Sequence, residues 1–262
     1  SQFDEPHSDS ALFPVYHVTE LASREFKVAI SGSGGDEIFN GYNWFRNYEV
    51  NFNNQIRKFI SNLGVANMLQ SLHMRMVARP RRHFINDEKE LYVHLKGGMT
   101  RAEKKYFLNS DVLSQYKDYD DYWYFREYWN SDLDPLTRLQ YLELKTYLPE
   151  NILAIMDRIS MMNSLEVRVP LIDHKVVECV FTFPAHLRPF GKKLLIEAAG
   201  NMLPNEVVNR KKKGFSSPMH LWYPSIKNDI NNYNKSVFNL NSLQNIAGFK
   251  KHQLYVYNKF YH

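Results

Sequence analysis

The residues best placed to do chemistry follow one glycine-rich turn. Residues 27–42, KVAISGSGGDEIFNGY, set Asp36 and Glu37 directly after Gly32, Gly34 and Gly35, with Ser31 and Ser33 among them. A turn that only reverses the chain needs one glycine or two. Backbone N–H groups in a tight glycine turn leading into a helix converge on one spot and favour an anion there, and glycine leaves room for close approach. Two carboxylates at the same place would repel a phosphate. A divalent cation removes that conflict: Asp36 can hold Mg²⁺, which then bridges to phosphate oxygens. The pattern points to a Mg-nucleotide or Mg-pyrophosphate site cradled by Ser31, Gly32, Gly34 and Gly35. The competing reading is a plain turn with Asp36 as N-cap and Glu37 in the first helical turn, and spacing alone does not separate the two.

The elements that must position this turn are legible around it. Ser10 reads as the cap of a helix carrying Val15, Val18, Leu21 and Ala22 on one face, with Pro14 tolerated in its first turn. FKVAIS (26–31) reads as a short buried parallel strand. Ile38, Phe39, Tyr42 and Phe45 give one face of a helix beginning near Asp36. Helix, strand, glycine turn and helix together predict an α/β nucleotide domain. Beyond residue 50 the pattern is mainly helical. Residues 136–148 form a helix ending at Pro149, 152–174 a helix followed by an extended VRVP, and 175–183 an apolar, buried helix stopped by Pro184. The last forty residues read as peripheral helices and loops, and no repeat or linker marks a domain boundary.

Bulk properties bound the rest. The chain has 262 residues, 44% of them hydrophobic and 15% aromatic, which predicts a folded globule with a sizeable core. A formal charge of +5 suits anionic small molecules as well as nucleic acid. One cysteine, Cys179, excludes an internal disulfide framework. With no signal sequence and no apolar run of spanning length, a cytoplasmic protein without a membrane segment is expected. The start at Ser1 in the polar run SQFDEPHSDS reads as a cut end. Ten histidines show no HxxxH or HExxH spacing, so scattered histidines are expected rather than a metal centre. The eight aromatics of residues 116–129 read as a packing face rather than a base-stacking platform, because Asp118, Asp120 and Asp121 interrupt them. Glu143 reads as a solvated helical residue.

Two further stretches carry a resemblance. LPENILAIMDRISMMNSLEVRVPLIDHKVVE and GKKLLIEAAGNMLPNEVVNRKKKGFSSPMHLW, with FDEPHSDSALFPVYHVTELA and SGSGGDEIFNGY, closely resemble the synthetase domain of the asparagine synthetase family, in order from residue 3 to about 222. The resemblance implies an α/β fold of the ATP-pyrophosphatase (adenine-nucleotide α-hydrolase-like) type, with a parallel-sheet remnant and a predominantly helical C-terminal part. It implies ATP and Mg²⁺ as cofactors, adenylation of a carboxylate such as aspartate with loss of pyrophosphate, and amide formation with ammonia. Asp36 matches a Mg-binding aspartate. Lys192, in FGKKLL, matches a lysine that contacts phosphate and stabilises the departing pyrophosphate. Asp157, Arg158 and Ser160, in DRISM, would line the acyl-acceptor pocket. From NRKKKGF the resemblance singles out Arg210, Lys212, Gly214 and Phe215, with Lys212 on the nucleotide. Glu166 and Arg168 are expected to form a structural ion pair along an extended segment.

The sequence also departs from the family pattern. The family's pyrophosphate loop, serine-glycine-glycine-x-aspartate-serine, is not found, and neither is a glutaminase domain with its catalytic cysteine. The whole of 1–262 is therefore expected to be the C-terminal portion of a synthetase domain: a strand, glycine loop and helix over 1–50, then a mainly helical part over 51–262. Its expected partners are the upstream synthetase portion and a glutaminase, in the same chain or a separate subunit, and a small carboxylate substrate. A homodimer is compatible with the family. Ser33 stands where the family usually has an acid facing the substrate or ammonia, and a serine is no base without an activating partner. Ile155 and Ile196 replace two commonly basic positions. These changes fit an acceptor other than aspartate, such as a sugar or peptide carboxylate, or a site that has decayed into a binding or assembly role.

Overall fold

The computed structural model describes residues 3–52, 55–77, 80–210, 214–215, 217–218, 221, 236–243 and 249–261. They fall into two compact units. The first comprises Ser1–Phe3, Asp9–Arg46 and Tyr128–Ser217; the second comprises Asp4–Ser8, Asn47–Glu127 and Pro218–His262.

Among the described residues, the sheet of the first unit has two parallel strands, β1 (Val28–Ile30) and β2 (Glu166–Arg168). Val28 lies opposite Glu166, Ala29 opposite Val167 and Ile30 opposite Arg168. Parallel strands need a long crossover, and here the connection from 30 to 166 contains most of the second unit. The strand expected to be buried is not: Ile30 is 79% exposed, Phe26 58% and Val28 44%. A parallel strand is normally covered on both faces, and a pair of strands leaves such residues open. Glu166 and Arg168 do pair, Nε to Oε1 at 2.8 Å, with both side chains mostly exposed; such a pair contributes little.

The first helix, Leu12–Ser23, forms as expected but without the side-chain cap expected from Ser10. Asp9 Oδ1 accepts the Ala11 N–H at 2.9 Å, while the Ser10 carbonyl accepts the Ser217 hydroxyl at 2.8 Å. Val15 packs with Ile155 and Ile159 of the helix Ala154–Met162, whereas Val18 and Leu21 stay exposed. Each of these buried aliphatic side chains contributes roughly 1.5–3 kcal/mol.

After the glycine turn, two helices replace the one expected. Gly35–Ile38 is a single turn, and Asn43–Phe52 begins after Asn40 has taken φ 55°. Asn-Gly is a strong turn signal, and it breaks the run without disturbing its apolar face: Ile38, Phe39 and Phe45 are all buried.

The helix Pro135–Lys145 is capped by Asp134, whose Oδ1 accepts the N–H groups of Leu136 and Thr137 at 3.1 Å. It ends at Thr146, before Pro149. A π-helical stretch, Leu148–Leu153, then runs directly into the next helix. Pro149 sits in the first turn of that stretch, where no N–H is required, so it does not act as a stop. Glu143, expected in solvent, is fully buried. The helix His174–Thr182 is amphipathic rather than buried all round: Val180 is its buried residue and Cys179 is exposed.

In the second unit, Met74, Phe107, Phe238, Leu243 and Leu254 form one core cluster. Thr100 and Glu103 make a capping box at the helix Arg101–Phe107. The aromatic run divides. Tyr122 is buried under the Arg101 guanidinium, 4.9 Å from its ring, and Phe125 meets Tyr92 edge to face, whereas Tyr116, Tyr119 and Trp123 are exposed. No helix among the described residues is long and apolar enough to cross a membrane.

Candidate active site

The glycine turn is rooted in the sheet. The Ser31 N–H donates to the Arg168 carbonyl at 2.8 Å, extending the pairing of β1 with β2 into the loop. The Ser31 and Ser33 hydroxyls lie 2.8 Å apart, and the Ser33 N–H donates to Ser31 Oγ at 3.2 Å. Gly34 has φ 83°, and a Cβ there would sit 2.0 Å from Ile172 Cγ2. Both facts require glycine. Among the described residues, the N–H groups of Gly32 and Gly34 donate to no protein acceptor. Those two donors are what a loop built for an anion would leave free.

Asp36 stands at the start of the helical turn, with Lys192 Nζ 3.2 Å from its Oδ2. Lys192 occupies the left-handed region, φ 59°, a conformation that a non-glycine residue holds only when its surroundings impose it. They do: Gly191 N–H donates to the Asn40 carbonyl at 2.8 Å and Lys192 N–H to the Phe39 carbonyl at 3.1 Å. The Asn40-Gly41 break thus presents two carbonyls that aim the lysine. Gly41 supplies the space, since a Cβ there would fall 1.9 Å from Asp36 Oδ1 and 2.5 Å from Lys192 Cε.

Gln140 fixes the same turn from below. Buried in the helix 135–145, it donates through Nε2 to the carbonyls of Glu37 (3.2 Å) and Ile38 (2.6 Å), and its Oε1 accepts from the Arg188 guanidinium. Arg188 is itself buried against the Phe181 ring and also donates to Thr137; burial lowers its pKa from the usual arginine range.

A cavity of about 680 Å³ opens beside the turn. Its walls come from the turn itself (Ser31 to Gly34), the 12–23 helix, Ile152, Ile155 and Met156, and Gly214 with Phe215. Besides the hydroxyl residues Thr19, Ser31 and Ser33, its polar lining residues are Asp9, Asp36, Glu37, Tyr42 and Tyr147. Tyr42 donates to Glu37 Oε1 at 2.6 Å, and Glu37 is almost wholly buried. Burial first, and the Glu37 carboxylate next, hold the Tyr42 phenol well above its ordinary pKa; burial, then Asp9, Glu143 and Glu37, do the same for Tyr147. Both phenols are therefore hydrogen-bond donors at neutral pH. Asn151 Nδ2 donates to Asp9 Oδ2 at 2.8 Å, completing the acidic wall.

Three carboxylates and no basic side chain line this cavity among the described residues. An unaccompanied anion is disfavoured there, whereas a divalent cation carrying phosphates is favoured. No group of three or more ligating His, Cys, Asp or Glu side chains is gathered among the described residues. Asp36 alone fits Mg²⁺, which keeps several waters and commonly binds through one or two carboxylates plus substrate phosphates.

The other expected site residues fall as follows. Lys192 lies behind the turn, against Asp36 and 3.8 Å from the space a Gly35 Cβ would fill, and is not a lining residue. Asp157, Arg158 and Ser160 do not line the cavity: Arg158 lies 5.2 Å over the Phe3 ring, and buried Ser160 donates to the Asp157 carbonyl at 3.2 Å. Ile155 is buried against Val15 and also lines the cavity. Arg210 is exposed, and Lys212 lies outside the described residues. Sequence reasoning missed Asp9, Tyr42, Tyr147 and Gln140 as members of this site, and Gly41 as its spacer. Only the Asn-Gly pair carried a local signal.

A family profile described as Asparagine synthase matches residues 1–254. Asparagine synthetase [glutamine-hydrolyzing] 1 of Bacillus subtilis is 31% identical over 253 residues, covering 90% of this chain and 37% of that protein. A putative asparagine synthetase [glutamine-hydrolyzing] of Mycobacterium tuberculosis H37Rv is 30% identical over 236 residues, covering 84% of this chain and 34% of that protein. The amidase chyE of Penicillium rubens is 33% identical over 98 residues, covering 34% of this chain and 15% of that protein. The chain therefore spans little more than a third of the longest-matched relatives. No solved structure matches it.

Proposed function

The chain belongs to the asparagine synthase family, and from that premise we propose that it forms part of an ATP-dependent amidotransferase. In this reading ATP adenylates a substrate carboxylate with loss of pyrophosphate, and ammonia then displaces the adenylate to give an amide. The observation that carries the reading is the 3.2 Å contact of Lys192 Nζ with Asp36 Oδ2 at the glycine turn. It sets a compact cation, held by its backbone, beside a carboxylate suited to Mg²⁺.

The roles follow from charge. The backbone of residues 31–35 offers N–H donors to phosphate oxygens. Mg²⁺, when bound, neutralises phosphate charge and makes pyrophosphate a better leaving group. Asp36 receives that ion, and Lys192 counters the charge that develops as pyrophosphate departs. Lys212 is assigned to the nucleotide by resemblance, and Asp157, Arg158 and Ser160 to the acceptor side. The neutral phenols of Tyr42 and Tyr147 orient polar groups of whatever enters the cavity.

In this reading an upstream synthetase portion and a glutaminase, in the same chain or a separate subunit, complete the site and deliver ammonia. The exposed Phe26, Val28 and Ile30 offer that portion an apolar sheet surface. One observation favours an acceptor other than aspartate. The Ser33 hydroxyl lies 2.8 Å from another hydroxyl, that of Ser31, which is no base.

The test is carboxylate-dependent exchange of labelled pyrophosphate into ATP by the intact protein, with aspartate and then other small carboxylates. Wild type is expected to exchange, and Lys192→Ala to lose about 10²–10³-fold of the rate, the usual cost of removing one charge-stabilising group. Absence of exchange with every carboxylate tried overturns the reading.

A further inference from the structure

The second unit holds a cavity of about 420 Å³ lined by Pro80, Arg81, Arg82, His83 and His94. Four of those five side chains are basic, and no carboxylate is among them. The cavity is built by the short turn Arg82–Phe84 and the helix Glu88–Leu95. The Arg81 N–H, donating to buried Gln70 Oε1 at 3.1 Å, anchors the turn.

Two atoms mark this cavity as unfinished. His83 Nδ1 and His94 Nδ1 are both buried, and neither has a hydrogen-bond partner among the described residues. A buried polar atom left unpaired costs about 1–3 kcal/mol. Two such atoms at one arginine-lined cavity point to something that binds there.

Charge decides what kind of ligand. A metal ion would find imidazole nitrogens, but Arg81 and Arg82 repel it and no third ligating side chain is gathered with them among the described residues. An anion meets every group favourably. Guanidinium forks match the oxygens of phosphate two at a time, and an imidazole donates through Nδ1–H. The carboxylate in the neighbourhood of His94, Glu103, is already engaged by Lys250 and by the Thr100 N–H at 2.9 Å. The field is positive enough to act on His94: burial, Lys250 and Arg82 lower its pKa, against the opposing pull of Glu103.

We propose that this cavity binds a small tetrahedral oxyanion, phosphate or the phosphate group of a larger molecule, through the exposed Arg81 and Arg82, with the rings of His83 and His94, whose Nδ1 atoms are closed off from solvent, turning to donate to it. It lies in a different unit from the glycine turn and belongs to no step of the amidotransferase reading.

The experiment titrates the intact protein with inorganic phosphate by calorimetry, against chloride at matched ionic strength, and follows the unfolding temperature in both salts. Arg82→Gln and His83→Gln are compared with wild type. Arg82 is exposed, so its substitution tests the site without opening the core; His83→Gln keeps a donor of similar size and controls for the ring itself. Phosphate is expected to bind and to raise the unfolding temperature where chloride does not. Losing a charge-assisted hydrogen bond from Arg82 should weaken binding about tenfold or more, with a smaller loss for His83→Gln. Glycerol phosphate distinguishes the sources: tighter binding than phosphate identifies a phosphate monoester, and weaker binding identifies the free ion. Stabilisation equal to that of chloride, or phosphate binding unchanged in Arg82→Gln, overturns the proposal.

Discussion

Adding one methyl group at Gly41 should separate stability from activity. A Cβ at this position would lie 1.9 Å from Asp36 Oδ1, 2.5 Å from Lys192 Cε and 2.8 Å from Asp36 Cγ, where ordinary contact begins at 3.4 Å. The Asp36 carboxylate must therefore move by about 1.5 Å, because carbon and oxygen cannot interpenetrate. The cost to the fold should be small. Overpacking typically costs about 1–3 kcal/mol, but the obstructing atoms here end two side chains that are 32% and 24% exposed and can swing outward. The ion pair itself contributes at most about 1 kcal/mol. Gly41→Ala should thus lose about 1–2 kcal/mol, a fall of about 2–4 °C per kcal/mol in unfolding temperature for a domain of this size. The chemistry should suffer far more, because displacing a positioned group by about 1 Å costs about a hundredfold in rate. The assays are thermal unfolding and pyrophosphate exchange on the same preparation. Wild-type exchange in Gly41→Ala would refute the reasoning. So would an exchange loss accompanied by collapse of the fold, since Gly41 would then be a core residue rather than a spacer.

Two further predictions rest on buried polar groups. Gln140→Leu removes the donor to the Glu37 and Ile38 carbonyls and the acceptor for Arg188; each orphaned group should cost about 1–3 kcal/mol, read as a lower urea midpoint at unchanged slope. His94 has a folded-state pKa below its ordinary 6.5, so the native state binds fewer protons than the unfolded state just below that pH. The stability it contributes is full above 6.5 and is lost as the pH falls through the folded value. Unfolding temperatures of wild type and His94→Gln between pH 7.5 and 5.5 should diverge at neutral pH and converge on acidification.

Much of the first unit was legible because its signals are local. FKVAIS and VRVP both read as extended, and they are the two strands that pair. The apolar spacing of Ile38, Phe39 and Phe45 reported burial correctly even though the helix breaks between them. Exposure of β1 was not legible, since a run of β-branched residues records how a strand packs in a whole sheet rather than in two strands. The two units escaped notice because the second draws on three separate stretches of the chain, the longest of them, Asn47–Glu127, lying between β1 and β2. Glu143 read as a surface residue because polar side chains usually are, and Gln140 carried no signal; the burial of Gln140 depends on partners far away in the chain. The Asp36–Lys192 pair joins positions 156 residues apart, as the numbering shows, and family resemblance alone brought them together beforehand. Ser10 read as the cap by residue type, yet no side chain caps this helix; Asp9, one position earlier, accepts the Ala11 N–H in the turn before it and also meets Asn151.

The most direct test is calorimetric titration of the intact protein with Mg-pyrophosphate, repeated on Asp36→Asn and Lys192→Ala. If the glycine turn, Asp36 and Lys192 form one Mg-pyrophosphate site, wild type binds and each substitution weakens binding about tenfold or more, the equivalent of about 1.4 kcal/mol. Removing Mg²⁺ should abolish the binding of all three proteins to the same residual level. Wild-type affinity in both variants, or no binding by wild type, would contradict it.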